Sequence, residues 1–441
     1  MEIDRSSCLD WFRRNRRRSE EIFASVRPEA YYDRPIALRN PICFYEGHLP
    51  AFGVNTLLRR GLGEPGIDPG FETLFERGID PEDESHVPGG SGNGWPERRE
   101  IRSYADQADR RIAQAITAGD IARADNPVLS GGLALFTVLE HEPMHQETLA
   151  YMWHRLPYER KIRPAAAPAP DPGGAPPPRA TVRVPAGRAT LGAARGAILF
   201  GWDNEFPLRV EEVPAFEVDV HDVTNGDYLE FVEAGGYGRE DFWDEEGWRW
   251  RVEQDVAFPA FWEKEGGRWL WRGMWERVPL PEAWPVYVSH AEASAYARWR
   301  GVRLPTEAEF QRAAYGTPDG RERRHPWGDD APDATRGNFD FLRSDPAPVG
   351  SFPRGASAWG VQDLVGNGWE WTSSVFAGFP GFEPMPSYPV YSSDFFDGKH
   401  FVLKGASPVT AKELLRPTFR NWFRGNYPYV YATFRCVKDS A

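Results

Sequence analysis

Apolar residues recur near every 3.6 positions through the first third of the chain, which predicts amphipathic helices. The pattern runs through "LDWFRRNRRRSEEIFASV" (9–26), "FETLFERG" (71–78), "REIRSYADQADRRIAQAITAG" (99–119, closed by a glycine) and "NPVLSGGLALFTVLEHEPMHQETLAYMWHRLP" (126–157). In the last of these, Leu135, Leu139, Leu149 and Met152 define one face. The Gly-rich run "SHVPGGSGNGWP" at 85–96 reads as a surface loop. Four or five helices joined in this way predict an antiparallel bundle over residues 1–162. Residues 163–180, "RPAAAPAPDPGGAPPPRA", lose all periodicity and predict an extended, semi-rigid linker. Beyond it the period shifts to alternation in "TVRVPAG" and "RVEEVPAFEVDVHDV". Helical stretches interrupt it at "NGDYLEFVEAGG" and at "SHAEASAYARWRG" followed by "TEAEFQRAAYG", and long Gly-, Pro- and Trp-rich loops follow. Residues 181–441 are expected to form an α+β, loop-rich domain.

Composition narrows the class. A chain of 441 residues exceeds one compact core, so two domains are expected. The net charge of −13 argues against a nucleic-acid partner, whose phosphates would be repelled. No apolar run approaches the roughly 20 residues that span a bilayer, so no membrane partner is expected. The opening "MEIDRSSCLDWFRRNRRR" has no apolar core of a secretory signal. Cys8, Cys43 and Cys436 form no CxxC pair. They are read as structural thiols, and the reducing cytoplasm is the expected compartment.

Candidate chemistry centres on "HEPMH" at 141–145. His141 and His145, four apart on a helix, project from one face and suit a shared metal. The same string matches a zinc-protease motif with Glu142 as general base, but Pro143 argues against the unbroken helix that motif needs. Two histidines satisfied by hydrogen bonds in a bundle core are the alternative. His48, in the apolar run "FYEGHLPAF", shifts the balance, because a buried imidazole needs a partner and a shared metal supplies one. Three neutral imidazoles suit Fe(II), Zn or Cu and leave coordination positions open, as a catalytic site requires. Glu147 is a candidate acceptor for the far nitrogen of one of them.

With "FYEGHLPAF" and "LEHEPMHQETLAYMWHRLP", the chain resembles the ergothioneine- and ovothiol-type sulfoxide synthases. Those are non-haem iron enzymes in which a DinB-like four-helix bundle precedes a formylglycine-generating-enzyme-like (C-type-lectin-like) domain. "VRVPAGRATLG", "FGWDNEFP", "LPTEAEFQRAA", "HPWGDD", "GNGWEWTSS" and "RPTFRNWF…YATFRC" extend the resemblance across residues 181–441. The reactive cysteine pair of formylglycine generation has no counterpart. The resemblance implies that His48, His141 and His145 hold Fe(II), that O2 is co-substrate, and that a thiolate or selenolate is joined to an imidazole carbon, usually with oxygenation of the chalcogen.

The acceptor implied is hercynine, a quaternary ammonium suited to aromatic faces. Trp369, Trp371, Trp422, Phe423, Tyr427 and Tyr429 are candidates for that contact, with core packing the alternative for at least half. Arg416, Arg420 and Arg424 are candidate carboxylate clamps. Gln146, Phe379 and Asn421 complete the candidate substrate-binding set, and Tyr427 and Tyr429 are the candidate proton donors. Two departures from γ-glutamylcysteine-using synthases stand out. Phe423 replaces the aspartate after Arg-Asn-Trp, and Phe379 replaces the tyrosine before Pro-Gly-Phe. A selenol ionises with less help than a thiol, so these losses favour selenoneine formation from a selenosugar. An ergothioneine-type synthase using cysteine or γ-glutamylcysteine is the alternative, and a non-catalytic metal-binding scaffold is the reading from a different class.

Overall fold

The computed structural model describes residues 3–76 and 94–440. They fall into two compact units, Met1–Ala166 with Pro384–Tyr391 and Ala167–Glu383 with Ser392–Ala441. Most of the loop expected at 85–96 lies outside the described residues. Trp95, near its end, packs its ring against Phe44 and Phe75.

The first unit is a helical bundle. α1 (Arg5–Ala24) starts on Asp4, whose carboxylate accepts from the backbone N–H groups of Ser6 and Ser7. α2 (Ile42–Gly53) is buried along its whole length, as an almost uniformly apolar helix must be. It continues through a π-helical stretch, Val54–Leu62, that ends where Gly63 turns left-handed. α3 (Pro69–Leu74) is short. α4 (Arg98–Ala118) opens with reciprocal capping between Glu97 and Glu100. α5 (Leu133–Arg155) carries the HEPMH string. α1 packs on α4 and α5, and α2 packs on the same two helices. A buried polar tie joins three of them. Arg16 of α1 meets Asp109 of α4 at 3.3 Å and Glu142 of α5 at 3.1 Å, and Ser19 Oγ donates to Glu142 at 2.6 Å.

One expectation is corrected here. α5 passes through Pro143 without a break. The proline deprives the Leu139 carbonyl of its helical donor, and the side chain of Asn15 supplies one instead, donating Nδ2–H at 2.8 Å.

The second unit runs, in chain order, β1 (Thr181–Val184), β2 (Gly187–Leu191), β3 (Arg209–Val213), β4 (Phe216–Asp219), α6 (Asn225–Glu233), α7 (Glu245–Glu253), β5 (Trp262–Glu265), β6 (Arg268–Arg272), β7 (Arg277–Pro279), α8 (His290–Arg300), α9 (Glu307–Tyr315), β8 (Gly368–Val375), β9 (His400–Ala406), β10 (Asn421–Arg424), β11 (Ala432–Thr433) and β12 (Val437–Asp439). It is α+β and rich in loops, as expected. The sheets have orders β1-β4-β12, β10-β9-β8-β11, β2-β3 and β5-β6-β7. All pairs are antiparallel except β11 with β8. α6, α8 and α9 each begin with a capping box, Thr224/Asp227, Ser289/Glu292 and Thr306/Glu309. α7 and the β5–β7 meander lie where the sequence pattern predicts neither helix nor strand. Residues 163–180 contain no helix or strand. The Asp171 carbonyl there accepts from Trp284 Nε1 at 2.7 Å. No helix among the described residues is long and apolar enough to cross a membrane.

A buried charge cluster fixes the C-terminal end of this unit. Arg435 donates to both oxygens of Glu370 (2.5 and 2.8 Å), to Asp222 (3.0 Å) and to the carbonyls of Asp219, Val220 and Gln362. Burial pushes both carboxyls up in pKa, and the guanidinium pulls against that shift. Arg435→Met strands two carboxyls in the interior. It is expected to cost about 3–5 kcal/mol of stability, read as a lowered urea midpoint.

Candidate metal centre

α2 and α5 bring three imidazoles together. The Nε2 atoms of His48, His141 and His145 form a triangle with edges of 3.3 Å (48–141), 3.2 Å (48–145) and 3.1 Å (141–145). His48 and His141 are buried and His145 is nearly so. The His48 tautomer is set by its other nitrogen, because Nδ1–H donates to the Phe75 carbonyl at 2.7 Å. Nε2 of His48 therefore carries a lone pair toward the other two rings. Burial pulls the pKa of His48 down to about 4. It pulls those of His141 and His145 well below their ordinary value, and each is lowered further by neighbouring imidazoles. All three are neutral at pH 7, the form a metal requires.

The triangle fits one ion. Nitrogens at about 2.1 Å from a metal stand about 3.0 Å apart at right angles and about 3.4 Å apart in a tetrahedron. The observed edges lie between those limits. Among the described residues these three histidines are the group of metal-ligating side chains that converges in this way. Three protein ligands leave positions open, which is the arrangement of a catalytic site.

The surroundings hold each ring. Phe52, one turn after His48 on α2, stacks on His141 with centroids 3.5 Å apart and planes 5° apart. Phe44, one turn before, lies parallel to His48 at 5.2 Å. Tyr45 approaches His145 at 5.8 Å. Gly47 lets Phe75 close on α2, since a Cβ there would lie 2.5 Å from the Phe75 ring. Tyr388 completes this side, 5.3 Å from Phe52 and 6.4 Å from His141. Phe52, Phe75 and Tyr388 were not singled out in the sequence. The first stands at helical spacing from His48, but no local pattern ties Phe75 or Tyr388 to the histidines.

Other candidate residues are elsewhere. Glu142 faces Arg16 and Ser19 of α1, turned off the histidine face, so it is not placed as a general base for a metal-bound water. Gln146 also turns to α1, where its Nε2 donates to the Asn15 carbonyl at 2.8 Å and to Ser19 Oγ at 2.9 Å. Glu147 is buried.

In the second unit, Trp369 and Trp371 are buried on β8, and Trp371 Nε1 donates to the Val288 carbonyl at 2.9 Å. Phe379 is buried beneath the Arg420 guanidinium, 4.3 Å from its centroid. The expected carboxylate clamps already hold protein carboxylates. Arg416 grips Glu205 at 2.7 and 2.5 Å, and Arg420 grips Glu307 at 2.9 and 3.1 Å. Those acids are buried and need the partner. Although burial pushes Glu205 up, Arg416 holds it below its ordinary pKa. Arg424 is exposed and Asn421 is half-buried, its side-chain oxygen accepting from Trp422 N. Trp422 stacks on Phe376 at 4.2 Å, Phe423 stacks on Tyr427 at 5.5 Å, and Tyr429 meets Tyr427 edge-on at 5.3 Å. All three cysteines are buried and their thiols are pushed up by burial, Cys43 to about 12.

A bundle with three convergent imidazoles, joined to an α+β domain, defines a class of two-domain candidate metalloprotein. Residues 12–149 match the DinB superfamily, and residues 166–440 match the sulfatase-modifying factor enzyme 1-like domain. A hercynine oxygenase from Mycolicibacterium smegmatis is 38% identical over 334 residues, 74% of this chain and 76% of that protein. One from Mycobacterium tuberculosis is 41% identical over 238 residues, 54% of this chain and 55% of that protein. Ergothioneine biosynthesis protein 1 of Neurospora crassa is 29% identical over 494 residues, 93% of this chain and 55% of that protein. The matches thus span about half the length of two of these relatives and three quarters of the third. The chain belongs to the family of the hercynine oxygenases.

Two substitutions test the centre. Gly47→Ala displaces Phe75 and the carbonyl that fixes His48, and is expected to weaken metal binding about 10-fold or more in a chelator competition. Glu142→Ala is expected to lower thermal stability by about 3–5 kcal/mol with metal stoichiometry unchanged. A hydrolytic zinc centre would show the reverse, lost turnover at near-normal stability.

Proposed function

We propose that the chain is an iron(II)- and dioxygen-dependent enzyme that joins a chalcogen to the imidazole C2 of hercynine, with a selenosugar as donor. The observation that carries the iron centre is the buried Nε2 triangle, whose edges suit a single ion and whose rings are neutral. The acceptor follows from kinship with proteins named hercynine oxygenase. Bound there, iron(II) supplies Lewis acidity and one-electron redox chemistry toward dioxygen. With an entirely neutral protein shell, an anionic chalcogenolate is the favoured incoming ligand. The rings of Phe52, Phe44 and Tyr45 hold the imidazoles in place and exclude water from their faces.

The overall reaction balances without a further reductant. The C2–H bond of hercynine and the donor's chalcogen–hydrogen bond break, and a carbon–chalcogen bond forms. One oxygen atom stays on the chalcogen and the other leaves as water. The selenium preference rests on Phe379 and Phe423, apolar where γ-glutamylcysteine-using synthases carry a phenol and a carboxylate. Phe379 lies buried under Arg420 and Phe423 is stacked on Tyr427, so neither of these two side chains supplies an acid or base itself. The sulfur-donor reading is favoured instead by the relatives named for ergothioneine biosynthesis.

Protein loaded anaerobically with iron(II), then given hercynine, dioxygen and in parallel a selenosugar, cysteine or γ-glutamylcysteine, is expected to form adduct with the selenosugar, detected by mass spectrometry. Product from sulfur donors alone rejects the selenium reading. Failure to retain iron, with no product from any donor, favours the scaffold. His48→Ala is expected to abolish iron retention.

A further inference from the structure

Eight residues from late in the chain, Pro384–Tyr391, belong to the bundle unit. They run along the face of α5 that carries His141. Ser387 Oγ and Thr137 Oγ1 share a hydrogen bond of 2.8 Å, with both residues fully buried. The Tyr391 hydroxyl lies 3.9 Å from Met144 Sδ. Thr137 and Met144 stand four residues before and three after His141, so the segment grips this face one turn to either side of the ligand. Between the grips, Tyr388 meets Phe52 edge to face at 5.3 Å and lies 5.8 Å from Tyr391. Phe52 in turn lies flat on His141 and tilted against His48 at 6.1 Å.

We propose that Pro384–Tyr391 is a strap completing the histidine centre, and that Tyr388 is a positioning residue for His141 acting through Phe52. The inference rests on the reading of the three histidines as metal ligands. An imidazole on a helix is free to turn about its χ2 torsion, and ligand geometry must be kept within roughly 0.5 Å and 10–20°. The parallel stack of Phe52 sets the plane of His141. Tyr388 braces Phe52 edge to face and also lies 6.4 Å from His141, and Tyr388 is held by the two anchors of the strap. The Tyr388 ring does the holding.

The test uses the full chain with cobalt(II), read by ligand-field absorption and by competition with a chelator. Tyr388→Ala is expected to weaken cobalt binding about 10-fold and to change the absorption spectrum, while Tyr388→Phe keeps wild-type values. Phe52→Leu is expected to reproduce the loss, and the double variant to lose no more than either single one. If Tyr388→Ala disturbs folding by circular dichroism, Ser387→Ala, which removes one hydroxyl, is expected to give a smaller shift of the same kind. Wild-type affinity and spectrum in Tyr388→Ala and Ser387→Ala overturn the proposal, as does a Tyr388→Phe loss equal to that of Tyr388→Ala, and losses that add overturn the route through Phe52. A wild-type chain that takes up no cobalt overturns the metal reading itself.

Discussion

The Nε2 atoms of three imidazoles stand within little more than 3 Å of one another, and a single shared cation would satisfy all three at once. The first unit is organised around that constraint. α2 is buried on every side because it carries one imidazole to the middle of the bundle. Gly47 is a glycine because Phe75 must reach that helix to offer its carbonyl to His48. α5 keeps its course through Pro143 because Asn15 takes the orphaned carbonyl, so the turn that spaces His141 from His145 is preserved. The Arg16–Asp109–Glu142 tie locks α1, α4 and α5 together, using charges turned off the histidine face.

The second unit spends its polar groups differently. Its guanidiniums at 416, 420 and 435 are committed to buried carboxylates, and its tryptophans at 369 and 371 to the sheet core. Such pairs add less stability than their number suggests, but each partner becomes costly to remove. The short β10 strand and the turn after it carry a run of aromatic rings, Phe423 stacked on Tyr427 and Tyr427 edge-on to Tyr429. Loops held by a rigid frame are where recognition is commonly placed.

Much of this was readable from the chain. Helical periodicity gave α1 and α4 within a few residues, while α5 begins seven residues after the start of its run, and capping pairs such as Ser289/Glu292 mark true helix starts. The three histidines were legible because i, i+4 spacing and a histidine in an apolar helix both demand a shared partner. The β5–β6 hairpin was legible in principle, since Gly266 and Gly267 both adopt the positive φ that a two-residue turn requires. Trp-rich strands obscured it, because aromatic runs carry little alternation. Pro143 misled because its effect on α5 depends on Asn15, a residue 128 positions away from it. The fate of Arg416 and Arg420 was equally hidden, since Glu205 and Glu307 are distant in sequence and become partners only in the fold.

The strap from residues 384 to 391 has a consequence for how the molecule is made. Phe52 and Tyr388 lie 336 positions apart, so this wall of the centre closes one of the longest loops in the chain, a slow kind of contact to form. A ribosome will have delivered the bundle helices long before it delivers the strap. The nascent bundle must therefore wait, with its histidine pocket unfinished on one side, until most of the polypeptide has emerged. Completion of the histidine pocket is thereby tied to near-completion of synthesis, and a chain cut short before residue 388 leaves that wall open.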